Sequence, residues 1–274
     1  MQPKLRLSYS RLSTLLHCRQ QYYWKYIENL IPRGPATVAL KVGGLLHELR
    51  DQWIKGTLDL AMLSDVEKFT QWVRSQYPDA EPGDVEATAY DTLRLFNVYA
   101  EKMRDVNHVA SETHLEWDDG EKVWYTRLDG LIRLPDTSLW REETKSAGRM
   151  DSAYLSGLKG GLQAGMAYII MKEVMPEEVK GTLYTICVKT KVATCEKMLV
   201  PRERLLVDMT MRTVQGAYDD IVHERWAPSM QCFFYNRQCD YLALCKGGTE
   251  QLKRDFYTER KDVLLEKKDD MQTD

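Results

Sequence analysis

Between Lys122 and Ser146 apolar and polar residues alternate on both sides of Pro135-Asp136-Thr137, the pattern of a β-hairpin with one face against a core. With those three residues as the loop, Leu134 pairs with Ser138, and counting back sets Asp129 opposite Glu143. Directly opposed residues share a face. One face then carries Arg127, Asp129, Leu131, Arg133, Leu139, Arg141, Glu143 and Lys145; the other carries Leu128, Gly130, Ile132, Leu134, Ser138, Trp140, Glu142 and Thr144. The first reads as a chemical face and the second as mostly core. A two-residue loop would mix the charged set of one strand with the apolar set of the other, so binary pattern selects the three-residue version. Glu142 is the misfit, a carboxylate on the apolar side.

Two convergent carboxylates offer the hard oxygen ligands that suit Mg²⁺ or Mn²⁺, and Lys145 stands beside Glu143 on the same face. Such a cation polarises a phosphoryl oxygen and acidifies a water, while a lysine orients that water or steadies negative charge. An ordinary cross-strand salt-bridge cluster on a solvated face is the other reading of these residues taken alone. His47 follows Gly43 by four residues on a predicted helix, where Gly43 permits close backbone approach. It reads either as an imidazole ligand or as a hydrogen-bonded structural residue.

The rest of the chain is helical first, mixed in the middle and helical again. Ser8-Tyr9-Ser10 offers an N-cap to a helix reaching Leu30 with a break after Cys18, and Pro32 to Pro35 ends it. Further helices are expected over Val38–Lys55, Ser64–Gln76 and Val85–Arg104, the last two separated by the breaker-rich Pro78-Asp79-Ala80-Glu81-Pro82-Gly83. Strands are expected at Ala110–Trp117, Lys122–Leu134, Ser138–Ser146, Gly181–Val188 and Thr194–Val200, with helices over Asp151–Val174 and Pro201–Glu224. These elements predict a single domain over residues 1–252, with a helical insertion at about 56–107, a core at about 108–224 and a charged tail, 253–274, that frays from an exposed helix into disorder.

A net charge of −3 gives no general attraction to nucleic acid, so any DNA binding must come from locally placed Lys and Arg. Arg11, Arg19, Lys25, Arg149, Lys159 and Lys246 are candidates to line an approach groove, and Tyr22, Tyr23 and Trp24 to stack bases; each also reads as ordinary surface or core. No basic start leads into an apolar run and no stretch approaches the roughly 20 apolar residues of a membrane span. The expectation is a soluble intracellular protein without a membrane partner.

Of the six cysteines, Cys187 and Cys195 sit in predicted strands and read as small core residues. Cys18, Cys232, Cys239 and Cys245 lie in aromatic and breaker-rich surroundings such as Phe233-Phe234-Tyr235-Asn236. Four thiolates from the two ends could hold an iron–sulfur cluster or zinc, or be scattered reduced thiols.

Taken together, the residues resemble the RecB-like branch of the PD-(D/E)XK nucleases, including the AddB-type and CRISPR-adaptation nucleases that carry an iron–sulfur cluster. The matching pieces are Leu7-Ser8-Tyr9-Ser10 leading to Cys18, Gly43-x-x-x-His47, Leu128-Asp129-Gly130, Glu143-Thr144-Lys145, Gln163 with Tyr168, and the terminal cysteine trio. They arrive in the family's order and span nearly the whole chain. The resemblance implies an α/β fold, a restriction-endonuclease-like core with a mixed central sheet flanked by helices, an N-terminal helical region and a C-terminal cysteine-bound cap. It implies that His47, Asp129, Glu143 and the carbonyl of Thr144 bind Mg²⁺ or Mn²⁺, that Lys145 is catalytic, and that Gln163 and Tyr168 position the site or the DNA. It also tips the Cys18, Cys232, Cys239 and Cys245 set towards a 4Fe-4S cluster, with zinc as the alternative. Glu112 resembles an acidic position of this branch, and equally an exposed edge-strand glutamate.

The implied activity is metal-dependent DNA hydrolysis, as an exonuclease on DNA ends or single strands, with a helicase, recombinase or integrase as partner. A non-catalytic DNA-binding or assembly subunit with the same fold, or a zinc-clamped enzyme of unrelated chemistry, are the alternatives. Two features depart from the family. Four residues rather than three separate Gln163 from Tyr168, so either the tyrosine role is displaced or Tyr168 is core, and the cysteine trio has its own spacing, with six and five intervening residues.

Overall fold

The computed structural model describes residues 4–34, 38–230, 232–234 and 237–259. In chain order the elements are β1 (Leu5–Leu7), α1 (Tyr9–His17), α2 (Arg19–Tyr22), a π-helical turn (Tyr23–Ile27), β2 (Leu30–Pro32), α3 (Val38–Ile54), α4 (Leu60–Leu63), α5 (Val66–Gln76) and α6 (Pro82–Met103). Then come β3 (Asn107–Asp118), β4 (Lys122–Arg133), β5 (Leu139–Ala147), α7 (Ser152–Lys159), α8 (Leu162–Val174), β6 (Val179–Val188), β7 (Thr194–Pro201) and α9 (Arg204–Val222). The chain closes with β8 (Phe233–Phe234), β9 (Arg237–Gln238), α10 (Leu242–Cys245), α11 (Glu250–Phe256) and β10 (Tyr257–Glu259). The helix break expected at Cys18 is present, with that residue extended at φ −158° and ψ 116°. The helix expected over Asp151–Val174 is two helices, interrupted at Gly160-Gly161. No helix among the described residues is long and apolar enough to cross a membrane.

The residues fall into two compact units, Met1–Tyr9 with Pro35–Arg212 and Ser10–Gly34 with Thr213–Asp274. The first is built on a mixed six-stranded sheet in which β4 carries β3 along one edge and β1, then β5, along the other, followed by β6 and β7. The β4–β5 hairpin has the register expected from alternation, Arg133 facing Leu139 and Gly130 facing Glu142. Its loop is Pro135-Asp136-Thr137, closed by the Leu134 amide on the Ser138 carbonyl at 3.0 Å, with Thr137 in the left-handed region at φ 69°. β5 and β6 run parallel and β6 is buried along nearly its whole length, as a strand covered on both faces must be.

That double cover corrects one expectation. The face with Ile132, Trp140, Leu183 and Cys187 packs on α3, α5 and α6, as the apolar side should. The face read as chemical is also a core, because Leu131 and Leu139 pack with Ala164, Ala167, Tyr168 and Met171 of α8. Asp129, Glu143 and Lys145, towards one end of that face, lie outside this apolar cluster.

In the second unit, Leu30, Tyr241, Leu244 and Tyr257 form a small core, and β2 pairs antiparallel with β10. Residues 257–259, expected within the tail, are paired with β2. Tyr257 is buried, its ring stacks on Tyr241 at 5.7 Å and its hydroxyl donates to the Asp240 carbonyl, which anchors residues expected to fray. Residues 260–274 lie outside the described residues.

Gly130 illustrates how tightly the first unit is built. A Cβ there would collide with Arg50 Nη2 and come within 3.0 Å of Glu142 Oε2 and 3.1 Å of the Ala110 carbonyl. Gly130→Ala should lower stability by about 1–3 kcal/mol, the usual range for overpacking. Gly216→Ala, on a helix with open space around it, should leave stability unchanged or raise it slightly. Urea denaturation of the two variants checks this; equal midpoints would refute it.

Candidate active site

The β4–β5 ladder stops at Gly130 and Glu142, so the next pair, Asp129 and Glu143, stands where the strands part. Asp129 Oδ2 replaces the missing ladder bond by accepting the Thr144 amide at 2.8 Å, which locks the carboxylate to β5. α3 supplies His47, whose Nδ1 lies 3.6 Å from Asp129 Oδ2 and 3.8 Å from Glu112 Oε1. A methyl on Gly43, one turn earlier, would touch Ser146 Oγ at 3.4 Å, so α3 runs close to the end of β5. Glu112 comes from β3 with its backbone in the left-handed region at φ 47°, a strained conformation for a residue with a Cβ.

His47, Glu112 and Asp129 each offer one ligand atom, and these atoms lie within 4.8 Å of one another. His47 Nδ1 and Glu112 Oε1 are shut from solvent without a hydrogen-bond partner. Buried polar atoms are almost always satisfied, so two bare atoms in one nitrogen-and-carboxylate cluster fit a divalent cation. Burial pushes the His47 imidazolium below its ordinary pKa, more than Asp129 raises it, so the ring is held neutral and free to donate its lone pair. Burial and the Asp129 charge raise the Glu112 carboxyl, while Arg127, at 3.1 Å, and Arg50 oppose that rise.

Glu143 is buried but stands outside this tight trio. Its Oε1 accepts Lys145 Nζ at 2.5 Å and Gln163 Nε2 at 2.9 Å, and its Oε2 meets the buried Arg141. Lys145 also donates to Gln163 Oε1 at 3.0 Å, closing a triangle of lysine, glutamine and glutamate. Burial pushes the Lys145 ammonium down, against the pull of the Asp129 charge. Gln163 thus contacts both Glu143 and Lys145. Tyr168 does not. Its ring is in the α8 core and its hydroxyl bonds Thr182 Oγ1 at 2.7 Å, reaching Glu143 only through Thr182 and Arg141. With four intervening residues it points away from the face that Gln163 presents.

Sequence reasoning left Glu112 open and missed Arg141 and Arg50. Glu142 was the available signal, since a carboxylate on an apolar strand face demands a buried cation, and Arg50 lies one turn past His47. The pair is fully buried, Arg50 Nη2 donating to Glu142 Oε2 at 2.6 Å.

The sequence matches the family model described as "PD-(D/E)XK nuclease superfamily" over residues 6–246. The chain belongs to the PD-(D/E)XK nuclease superfamily. Its mixed sheet flanked by helices is consistent with that fold, and the superfamily's chemistry is phosphodiester hydrolysis in nucleic acid. Among solved structures, a protein from Eubacterium rectale named "Putative exonuclease" aligns at TM-score 0.51 and 11% identity, covering 95% of this nuclease and 92% of that chain. A structure named SSO0001 aligns at TM-score 0.37 and 15% identity, covering 74% of this nuclease and 94% of that chain. No curated protein matches in sequence.

The four cysteines read as a set all lie in the second unit. Cys18 caps the start of α2, where its sulfur accepts the Ser229 amide at 3.5 Å. Burial raises that thiol, but amide bonds from Ser229, Gln21 and Gln20 outweigh it and leave the pKa lowered, the behaviour of a thiolate at a helix start. The Cys239 amide donates to the Cys232 carbonyl at 2.7 Å. After burial, the charges of Cys18 and Cys232 contribute to raising Cys245, so these thiols are electrostatic neighbours. Cys187 and Cys195 are buried across β6 and β7 with sulfurs 3.5 Å apart, as core residues should be. Of the aromatic residues considered for base stacking, Tyr22 is unavailable, being fully buried and stacked on Trp226.

The shifts set a pH dependence. A raised Glu112 pKa makes protons compete with a cation above the ordinary carboxylate range, whereas a lowered His47 pKa keeps the imidazole available on acidification. Mn²⁺ affinity should fall as the pH drops from neutral towards the ordinary carboxylate range, approaching tenfold per unit for each proton taken up. Glu112→Gln should weaken binding at neutral pH and flatten that fall. Isothermal titration across this range decides it; the same slope in parent and variant would refute the assignment.

Proposed function

We propose that this nuclease is a Mg²⁺- or Mn²⁺-dependent deoxyribonuclease that acts as an exonuclease on DNA ends or single strands. The observation that carries the reading is the pair of bare buried ligand atoms, His47 Nδ1 and Glu112 Oε1, beside Asp129 and within the same site as Lys145. His47, Glu112 and Asp129 would hold the cation, with Glu143 and the Thr144 carbonyl completing the ligand set implied by the family pattern. A cation held there polarises a phosphodiester oxygen and makes a water more acidic. Lys145 Nζ, held between Glu143 and Gln163, is placed to donate to an oxygen that gains negative charge. Arg141, on the same face of β5, pairs with Glu143 and fixes its carboxylate. A helicase, recombinase or integrase that exposes or captures ends fits this activity as a partner.

We also infer that Cys18, Cys232, Cys239 and Cys245 hold a 4Fe-4S cluster. Their mutual electrostatic influence and the amide-stabilised Cys18 sulfur support a shared group.

Digestion of end-labelled single- and double-stranded DNA with Mn²⁺ tests the activity. Asp129→Asn, Glu143→Gln and Lys145→Met should each reduce cleavage by about a hundredfold or more, the scale of losing a ligand or an electrostatic stabiliser. Glutamine at 143 keeps a partner for the buried Arg141, so a folded, inactive protein is expected. Full activity in all three would sink the reading. Anaerobically prepared protein should be brown and contain iron and sulfide, and Cys18→Ser should bleach it. Colourless protein with stoichiometric zinc would replace the cluster by the zinc alternative.

A further inference from the structure

The buried Arg50–Glu142 pair stands immediately behind the proposed cation site, and its guanidinium has two ends. Nη2 and Nε face Glu142, at 2.6 Å from Oε2 and 3.4 Å from Oε1. Nη1 faces β3, at 3.4 Å from Ser111 Oγ and 3.8 Å from Glu112 Oε1. Tyr99 donates to Glu142 Oε1 at 2.9 Å and fixes the carboxylate from the other side. The strained backbone of Glu112 therefore has a rigid cation behind it. A fully buried arginine needs only one carboxylate to be neutralised, yet this one is oriented to span two strands. The cradle is cut to its shape, since even a methyl on Gly130 would collide with Nη2.

We propose that Arg50 is a positioning residue that, pinned by Glu142, holds the Glu112 carboxylate towards His47 and Asp129 and so preorganises the cation site. The inference rests on the metal-dependent reading above. Arg50 touches neither substrate nor cation; it acts through Glu112. Planar geometry matters because one rigid fork serves both strands, which the single ammonium of lysine cannot do.

A double-mutant cycle on the full chain separates this role from simple core stability. Free Mn²⁺ is followed by its electron paramagnetic resonance signal during titration of the parent, Arg50→Lys, Glu112→Gln and the double variant, with folding checked by circular dichroism. Lysine retains the charge opposite Glu142. Arg50→Lys should weaken Mn²⁺ binding about tenfold, and in the Glu112→Gln background it should weaken it no further. Parent-like affinity in folded Arg50→Lys, or fully additive losses in the double variant, would overturn the proposal. If Arg50→Lys fails to fold, Arg50→Met/Glu142→Gln removes the buried cation while keeping an acceptor for Tyr99, and must show the same loss. A parent that binds no Mn²⁺ would instead overturn the metal reading itself, whereas tight binding unchanged by these variants would overturn only the role of Arg50.

Discussion

A three-residue turn governs the site. Asp136 Oδ1 accepts both the amide of Ser138, at 3.0 Å, and its hydroxyl, at 2.6 Å, while Thr137 takes the left-handed conformation that lets the strands close in this register. Because side chains alternate with a period of two, a slip of one residue would send Glu143 to the helical core and Glu142 to the α8 side. The same register puts Gly130 opposite Glu142, where a side chain would leave no room for Arg50.

Adjacent carboxylates on one strand then face opposite sides of a sheet covered on both. Each is buried, and each has its own buried arginine, Arg50 for Glu142 and Arg141 for Glu143. Burying an isolated charge costs several kcal/mol, and removing one partner of such a pair typically costs about 3–5 kcal/mol. Burial by itself would raise the Glu142 carboxyl, but His108 and Arg50 bring it to about 2, so it stays ionised through the neutral range. Stability from that depressed pKa is present above the ordinary carboxylate value and lost only as pH falls towards about 2.

Glu143 differs from Glu142 in having access to the open end of the sheet, through Lys145 and Gln163. One step along β5 therefore separates a carboxylate paired with Arg50 from the one proposed to take part in the chemistry. His47, Glu112 and Asp129 concentrate ligand atoms on one side of that opening and Lys145 supplies a donor on the other, an arrangement suited to a phosphodiester with opposite needs at its oxygens.

The hairpin register, the helix carrying Gly43 and His47, the break at Cys18 and the core place of Cys187 and Cys195 follow from the sequence itself, because each depends on local periodicity, turn chemistry or backbone preference. The sequence marks Glu142 as a misfit on an apolar face, but nothing local says that Arg50 meets it. Tertiary structure alone decided that Glu112 joins His47 and Asp129, that Tyr168 turns into the core beneath α8, and that the face of Leu131 and Leu139 is covered. These outcomes depend on side chains meeting from elements far apart in the chain. Alternation tells which side of its strand a residue faces; what waits on that side is set by the packing of the other elements.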